Sequence, residues 1–323
     1  MSGLFAKGPV FGIEVSGSAL RSAEVRSRDG LSALLGLDSL SLPSGIIVES
    51  FTEPNIADMP AFVKKLGEFA RKGGRSGKRF NVALHDNAAR AVILEFDTLP
   101  GKQEDTESML RWRFKKLVPF AVEKAELRYQ YLGAFRDQET QKHRFLAAVI
   151  KSEIIAQYES AFAEAGLRPD RIDISSFAVW NLYHDFLVKE AGMAKNYALM
   201  NVSGRKMSVM VFERGIIRFI RTKDLGASVD EAVSGRGLAD VLPRELHASL
   251  TYFKESISQT PVELVFASGD MDGLERVATE LSGKAGLDTR MLSLSDAVQT
   301  GSLSQGISNM LKYSAACGAA AGW

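Results

Sequence analysis

Tyr197-Ala198-Leu199-Met200-Asn201-Val202 is an apolar run, Ser203-Gly204-Arg205-Lys206 a turn, and Met207-Ser208-Val209-Met210-Val211-Phe212 a second apolar run. A Glu213-Arg214-Gly215 turn and a third run, Ile216 to Arg221, follow. Short apolar runs bounded by turn residues predict strands, here three in a meander. The chain opens in the same way, with Val10 to Val15, a Ser16-Gly17-Ser18 turn, Leu20 to Val25, a charged turn from Arg26 to Gly30, and Leu31 to Leu42. In both halves a long helical stretch comes next, Ser228 to Ser256 in the second. There a buried strand, Val262 to Ala267, then ends in Ser268-Gly269-Asp270 and leads to another helix. One supersecondary program written twice predicts an α/β fold of two related domains.

The first domain continues with a helix capped by Asp58, carrying Pro60 in its first turn, apolar Met59, Phe62, Leu66, Phe69 and Ala70 on one face, and Gly73 as its stop. Phe80 to Leu84 and Arg90 to Phe96 read as strands around a His85-Asp86-Asn87 turn. From Pro100 the pattern changes. Glu104, Asp105 and Glu107 lead a helix with Leu110, Phe114 and Leu117 on one face and basic residues toward its end, closed by Pro119. A strand pair, Leu127 to Phe135 and Arg144 to Ile150, precedes a helix with Ile154, Tyr158, Ala161, Phe162 and Ala165. The expected organisation is a first domain over 1–96 and 173–196, an α+β insert over 97–172, a second domain over 197–304, and a small-residue helix over 305–323 returning to the first.

Composition excludes several function classes. With 323 residues and 46% hydrophobic content the chain can bury real cores, so it is not a disordered segment. Lys and Arg number 40 against 39 Asp and Glu, a balance that gives no global attraction to nucleic acid or to an anionic membrane surface. The single cysteine, Cys317, excludes an intramolecular disulfide and a Cys-based zinc cluster, and points to a reducing compartment, by default the cytoplasm. No signal-peptide core opens the chain, and no window approaches the roughly 20 apolar residues of a spanning helix.

Local motifs are sparse. Gly77-Lys78 and Gly235-Arg236-Gly237 lack the remaining residues of a phosphate-binding loop, and His85, His143, His184 and His247 have no metal-ligand spacing. Paired turns in duplicated halves are more informative. Backbone N–H groups in small-residue hairpin turns can cradle phosphates, and acidic residues at strand ends can hold hydrated magnesium. Two such turns face to face would clamp one nucleotide, although either turn alone is an ordinary hairpin.

Three stretches carry a wider likeness: Phe11-Gly12-Ile13-Glu14-Val15-Ser16-Gly17-Ser18-Ala19-Leu20-Arg21, then Trp112-Arg113-Phe114-Lys115-Lys116-Leu117-Val118-Pro119-Phe120, and Asn201-Val202-Ser203-Gly204 with Gly215 to Arg221. With the closing Lys312-Tyr313-Ser314-Ala315-Ala316-Cys317-Gly318-Ala319-Ala320, they resemble the PilM family of type IV pilus assembly proteins, an FtsA-like branch of the actin-like ATPases. The resemblance spans nearly the whole chain and implies an actin-like, ribonuclease H-like duplicated fold. It implies ATP with magnesium in the interdomain cleft, between Glu14, Ser16, Gly17, Ser18 and Arg21 of one loop and Asn201, Ser203 and Gly204 of the other, with Ser268 and Gly269 beside the adenosine. The chemistry departs from the family pattern. Glu14 stands for an Asp, Ser16 for a Gly, Arg21 for a Lys, Asn201 for an Asp and Ser203 for a Gly, so the expected ATP turnover is absent or very slow.

As a family member the chain is expected to be a cytoplasmic scaffold at the inner face of the inner membrane, working with other pilus platform and motor components. It would hold the N-terminal tail of a PilN-like membrane protein between the first domain and the insert, with Trp112, Pro119 and Phe120 at that junction. On its own the Trp112 to Phe120 stretch also reads as an amphipathic helix with a solvated basic face. The alternatives are a cytoplasmic actin-like component of a type II secretion platform, and an actin-like ATPase or phosphotransferase.

Overall fold

A computed structural model describes residues 8–28, 31–74, 77–137, 139–192, 196–225, 237–284, 287–305 and 309–321. The strands are β1 (Val10–Val15), β2 (Ala19–Arg28), β3 (Leu31–Ser41), β4 (Phe80–Leu84), β5 (Ala89–Phe96), β6 (Ala125–Asp137), β7 (Thr140–Lys151), β8 (Arg171–Ile174), β9 (Tyr197–Ser203), β10 (Lys206–Glu213), β11 (Ile216–Asp224), β12 (Leu264–Gly269) and β13 (Asp288–Met291). The helices are α1 (Met59–Lys72), α2 (Gln103–Phe114), α3 (Ser152–Glu164), α4 (Ser175–Ala191), α5 (Gly237–Ser256), α6 (Leu274–Lys284) and α7 (Ser314–Ala321).

Two five-stranded sheets repeat one topology. The first runs β3-β2-β1-β4-β8 and the second β11-β10-β9-β12-β13. In each, an antiparallel meander supplies three strands and two parallel strands join beside the first of them. β10 is a strand, as the duplication requires. The central strands β9 and β12 are buried almost throughout, because helices and the other domain cover both faces, which is why they read as continuous apolar runs. α1 begins as its sequence directs: the Asp58 side chain accepts from the Ala61 N–H at 3.0 Å, and Phe62, Leu66, Phe69 and Ala70 are buried. Of the helix expected from Ser228, residues 228–236 lie outside the described residues, and α5 covers the rest.

A third sheet, β5-β7-β6, forms the insert, and strand pairing moves its expected boundaries. β5 pairs with β7 from Ala89↔Ile150 to Phe96↔His143, so the insert's sheet opens at Ala89 and not after Phe96. α3 belongs to the first domain, where Tyr158 meets Phe62 edge-on at 6.4 Å and Phe162 meets Phe80 at 5.7 Å. An alternating strand or an amphipathic helix announces a buried face without naming its partner, which is why the sequence misplaced both. α2 covers one face of the insert sheet through Leu110 and Phe114, against Leu127, Phe145, Ala147 and Val149. It ends at Phe114, so Leu117, expected on that face, turns outward and is exposed.

α7 replaces the longer closing helix expected over 305–323, of which 306–308 and 322–323 lie outside the described residues. Its small residues have a geometric cause. A Cβ on Gly318 would sit 1.9 Å from the Ala178 carbonyl oxygen on α4, and one on Gly12 of β1 would sit 1.8 Å from the Ala316 carbonyl oxygen. Only glycine permits these backbone approaches. One apolar core joins α7 and α4 to Ala23 and Val25 of the first sheet, Tyr197, Phe212 and Phe266 of the second, and Leu146 of the insert. Cys317 lies in it, and burial pushes its thiol well above the usual range.

Candidate functional site

Where the two domains meet, β1 and β12 each deliver a carboxylate to one guanidinium. Arg21 of β2 donates from Nη1 to Glu14 Oε2 at 3.1 Å and from Nη2 to Asp270 Oδ2 at 2.8 Å. Ser175, at the start of α4, donates its hydroxyl to the other Glu14 oxygen at 3.3 Å. Glu14 is 3% exposed, and its pKa is pushed up to about 7, chiefly by burial, with Arg21 pulling it down and Asp270 pushing it up. The same desolvation competes with the two carboxylates at Arg21, whose guanidinium ends above its usual range. At the neighbouring residue of α4, Asp86 accepts the Ser176 N–H at 2.7 Å, the Ser176 hydroxyl, and the Ser208 hydroxyl of β10 at 2.7 Å. Asp86 thus satisfies a first-turn amide of α4, although burial raises its pKa. Asn201 of β9 donates to Ser176 Oγ at 3.2 Å.

The two hairpin turns already have anions on their amides. Gly17 N–H donates to Glu49 Oε1 at 2.8 Å, and Gly204 N–H donates to Asp270 Oδ1 at 2.8 Å. Ser16 closes its own hairpin by a bond with Ala19, and Ser18 is exposed. Ser203 is half-buried at the end of β9. Ser268 is fully buried with its hydroxyl unpartnered. Gly269 is glycine for packing: a Cβ there would lie 2.0 Å from the Val202 carbonyl oxygen. Of the residues expected to hold ATP with magnesium, Glu14, Arg21 and Gly204 meet through Asp270 where the two domains touch, and Asn201 joins Ser176 there, in an arrangement that does not fit that ligand. Both Glu14 oxygens are engaged, Asn201 brings no charge, and the Gly17 and Gly204 donors are taken. His85, which bonds Asn55 Oδ1 through Nε2 at 2.9 Å, is held at about 3 by burial and by the nearby Lys206 charge, so its imidazole is neutral near neutral pH.

A second feature lies away from this site. A groove of about 900 Å³ runs between the insert and the first domain, walled by β6 and β7, α3, β8 and Phe177. Alternation along β7 builds most of it: Phe145 and Ala147 face α2, Val149 packs in that core and also borders the groove, and Leu146, Ala148 and Ile150 line the groove. Ile155 and Ala163 of α3 and Ile172 and Ile174 of β8 add apolar surface; Glu126, Glu159, Asp170, Asp173, Arg128, Arg168 and Arg171 supply both charges. β6 and β8 are edge strands of their sheets, and edges present backbone groups for pairing.

Trp112, Pro119 and Phe120 do not line that groove. Trp112 is 55% exposed with the Lys116 ammonium 4.8 Å from its ring, and Pro119 is exposed. Phe120 packs on Phe51 at 5.0 Å, on the α2 side of the insert. Phe51 belongs to the first domain, so Phe120 does lie between domain and insert as the sequence predicts, but on the α2 side of the insert and away from the groove. Sequence reasoning missed Glu49, Asp86 and the groove wall; for the wall, the outward half of the β7 alternation was the available signal.

The family model described as type IV pilus assembly protein PilM matches residues 12–233. No curated protein sequence matches the chain. Among solved structures, a chain of a PilM-PilN type IV pilus biogenesis complex is similar over 97% of this chain and 97% of its own, with 21% identity and a TM-score of 0.78. A protein of actin-like ATPase fold from Bacteroides thetaiotaomicron matches over 93% and 95%, with 11% identity and a TM-score of 0.51. The ethanolamine utilization protein EutJ from Carboxydothermus hydrogenoformans matches over 98% and 90%, with 12% identity and a TM-score of 0.50. The fold is actin-like, and among the described residues no helix is long and apolar enough to cross a membrane. Matched by the family model over more than half its length, the chain belongs to the type IV pilus assembly protein PilM family.

Proposed function

We propose that this chain is a scaffold of type IV pilus assembly that seats the extended N-terminal tail of a PilN-like membrane protein in the groove between the first domain and the insert. The observation that carries the reading is the groove itself, with its apolar floor, mixed charges and two edge strands. An extended peptide docks by adding backbone bonds to a sheet edge and placing alternate side chains in apolar pockets, and this groove offers both. Family membership and the similar chain solved with PilN support the same partner class. The tail would hold the protein at the inner face of the inner membrane, where other platform and motor components assemble. No reacting group is required of such a scaffold.

Ala148 faces the groove and is half-buried, so Ala148→Trp fills the groove while leaving the α2 core untouched. Titration of a fluorescent tail peptide onto the purified chain is expected to lose at least about tenfold in affinity in this variant, since one blocked anchor is worth roughly 2 kcal/mol. Full affinity in a folded Ala148→Trp protein would place the tail elsewhere.

A further inference from the structure

We propose that the interdomain cleft is a built-in latch: Asp270 and Glu49 take the loop amides that a phosphate would use, and Arg21 ties Asp270 to Glu14, holding the domains closed without nucleotide. Asp270 is the centre of this arrangement. One of its oxygens accepts the Gly204 amide of its own domain and the other accepts Arg21 of the first. Both side chains of that pair are 10% exposed, so the contact is shielded from salt and water. Two further bonds cross the same boundary, Ser208 to Asp86 at 2.7 Å and Asn201 to Ser176 at 3.2 Å. Behind them the continuous core of α4, α7 and both sheets removes apolar surface from water only while the domains stay together.

A phosphate entering the cleft would have to displace Asp270 from Gly204 and Glu49 from Gly17. It would also meet the carboxylates of Glu49, Asp86 and Asp270, with Asp86 and Asp270 both acting on Glu49 across this space, against Arg21 and a Lys206 already paired with Asp224. An anion is disfavoured there on both counts. The substitutions at the loops are then mutually consistent. Arg21 is long and forked enough to span two carboxylates, where a point-charged lysine would serve a phosphate, and Asp270 follows directly on Ser268-Gly269.

Hydrogen exchange on the full chain, read at Gly17 and Gly204 with and without Mg-ATP, tests this alongside small-angle scattering. Both amides are expected to be protected without nucleotide, with neither exchange nor scattering altered by Mg-ATP. In Asp270→Ala, Gly204 should exchange about tenfold faster or more while Gly17, bound to Glu49, changes far less, and the scattering should shift to a more open particle. Should Asp270→Ala fail to fold, Asp270→Asn keeps an acceptor for Gly204 but loses the charge facing Arg21, and is expected to open the particle with Gly204 still protected. Unprotected amides that slow on addition of Mg-ATP, wild-type scattering that closes with nucleotide, or a folded Asp270 variant as compact as wild type would each overturn the latch. None of these readings involves the tail peptide, so they stand apart from the groove.

Discussion

Glu14 makes the stability of the protein depend on pH in a direction opposite to that of most carboxylates. Its pKa stands at about 7 in the folded chain against 4.5 for the free side chain, with burial as the main cause. Between those values the folded state holds a proton that the unfolded chain has released, so folding is favoured at the acidic end and loses that advantage as pH rises through 7. Integrating this difference gives a loss of about 2–3 kcal/mol between about pH 5 and about pH 8 from this one group. Asp86, Glu49 and Asp173 are raised too, each mainly by burial, and their contributions have the same sign. The assay is urea unfolding at the two pH values for wild type and Glu14→Gln, comparing midpoints at matched slopes. Wild type should unfold at lower urea at the higher pH, and Glu14→Gln should show a clearly smaller difference. An equal difference in the two proteins, or a wild type more stable at the higher pH, would refute the reasoning, because it would mean that Glu14 stays ionised beside Arg21 throughout.

Three further outcomes are expected. Gly318→Val drives side-chain atoms into the Ala178 backbone and should lower stability by about 2 kcal/mol or more, read as a fall in melting temperature, whereas the exposed Gly101 tolerates alanine unchanged. Phe120→Ala should lower stability by about 1–2 kcal/mol through its lost packing on Phe51 and leave tail-peptide affinity unaltered; a tenfold loss of affinity would return Phe120 to the partner site. Asp86→Ala strands the buried Ser176 amide, while the Ser208 hydroxyl keeps Thr222 Oγ1 at 2.9 Å, and should cost about 1–3 kcal/mol in chemical unfolding; no measurable effect would show that another acceptor takes its place.

The duplication was legible because both meanders bury their first strands on two faces, leaving runs such as Val10 to Val15 and Tyr197 to Val202 nearly free of charge. Glu14 and Asn201 interrupt those runs, and both are buried where the two domains meet. What they do there was not legible. That Glu14 meets Arg21 follows from the β1–β2 register, which pairs the two residues, but Asp270 reaches them from 249 positions away and Glu49 reaches Gly17 from a segment with no motif. Partner choice over such separations is decided by packing and not by local pattern. The same limit hid the groove: Trp112 to Phe120 gathers aromatic and basic residues in sequence, while the groove gathers Ala148, Ile172 and Ala163 from three separate elements whose individual patterns are unremarkable.

Rigidity in this molecule has a specific origin with consequences for the groove. Against the first domain's sheet, α7 meets β1 through Gly12 and α4 through Gly318, where backbone touches backbone with no side chain between. Contacts of that kind do not slide, because a shift of a fraction of an ångström brings carbonyl oxygens into collision, whereas two layers of long side chains could repack. Leu146 belongs to the core that α7 and α4 share with the second sheet and also lines the groove, so the insert wall is anchored to the least compliant part of the structure. Arg144 strengthens that anchorage, pairing with Glu95 at 2.8 Å and stacking over Phe135 at 3.8 Å, with Arg218 of β11 on the same ring at 5.9 Å. The tail proposed for this groove would meet walls already in place, and its binding would carry the ordering entropy of the peptide alone, which is the condition under which a short segment can hold with useful affinity.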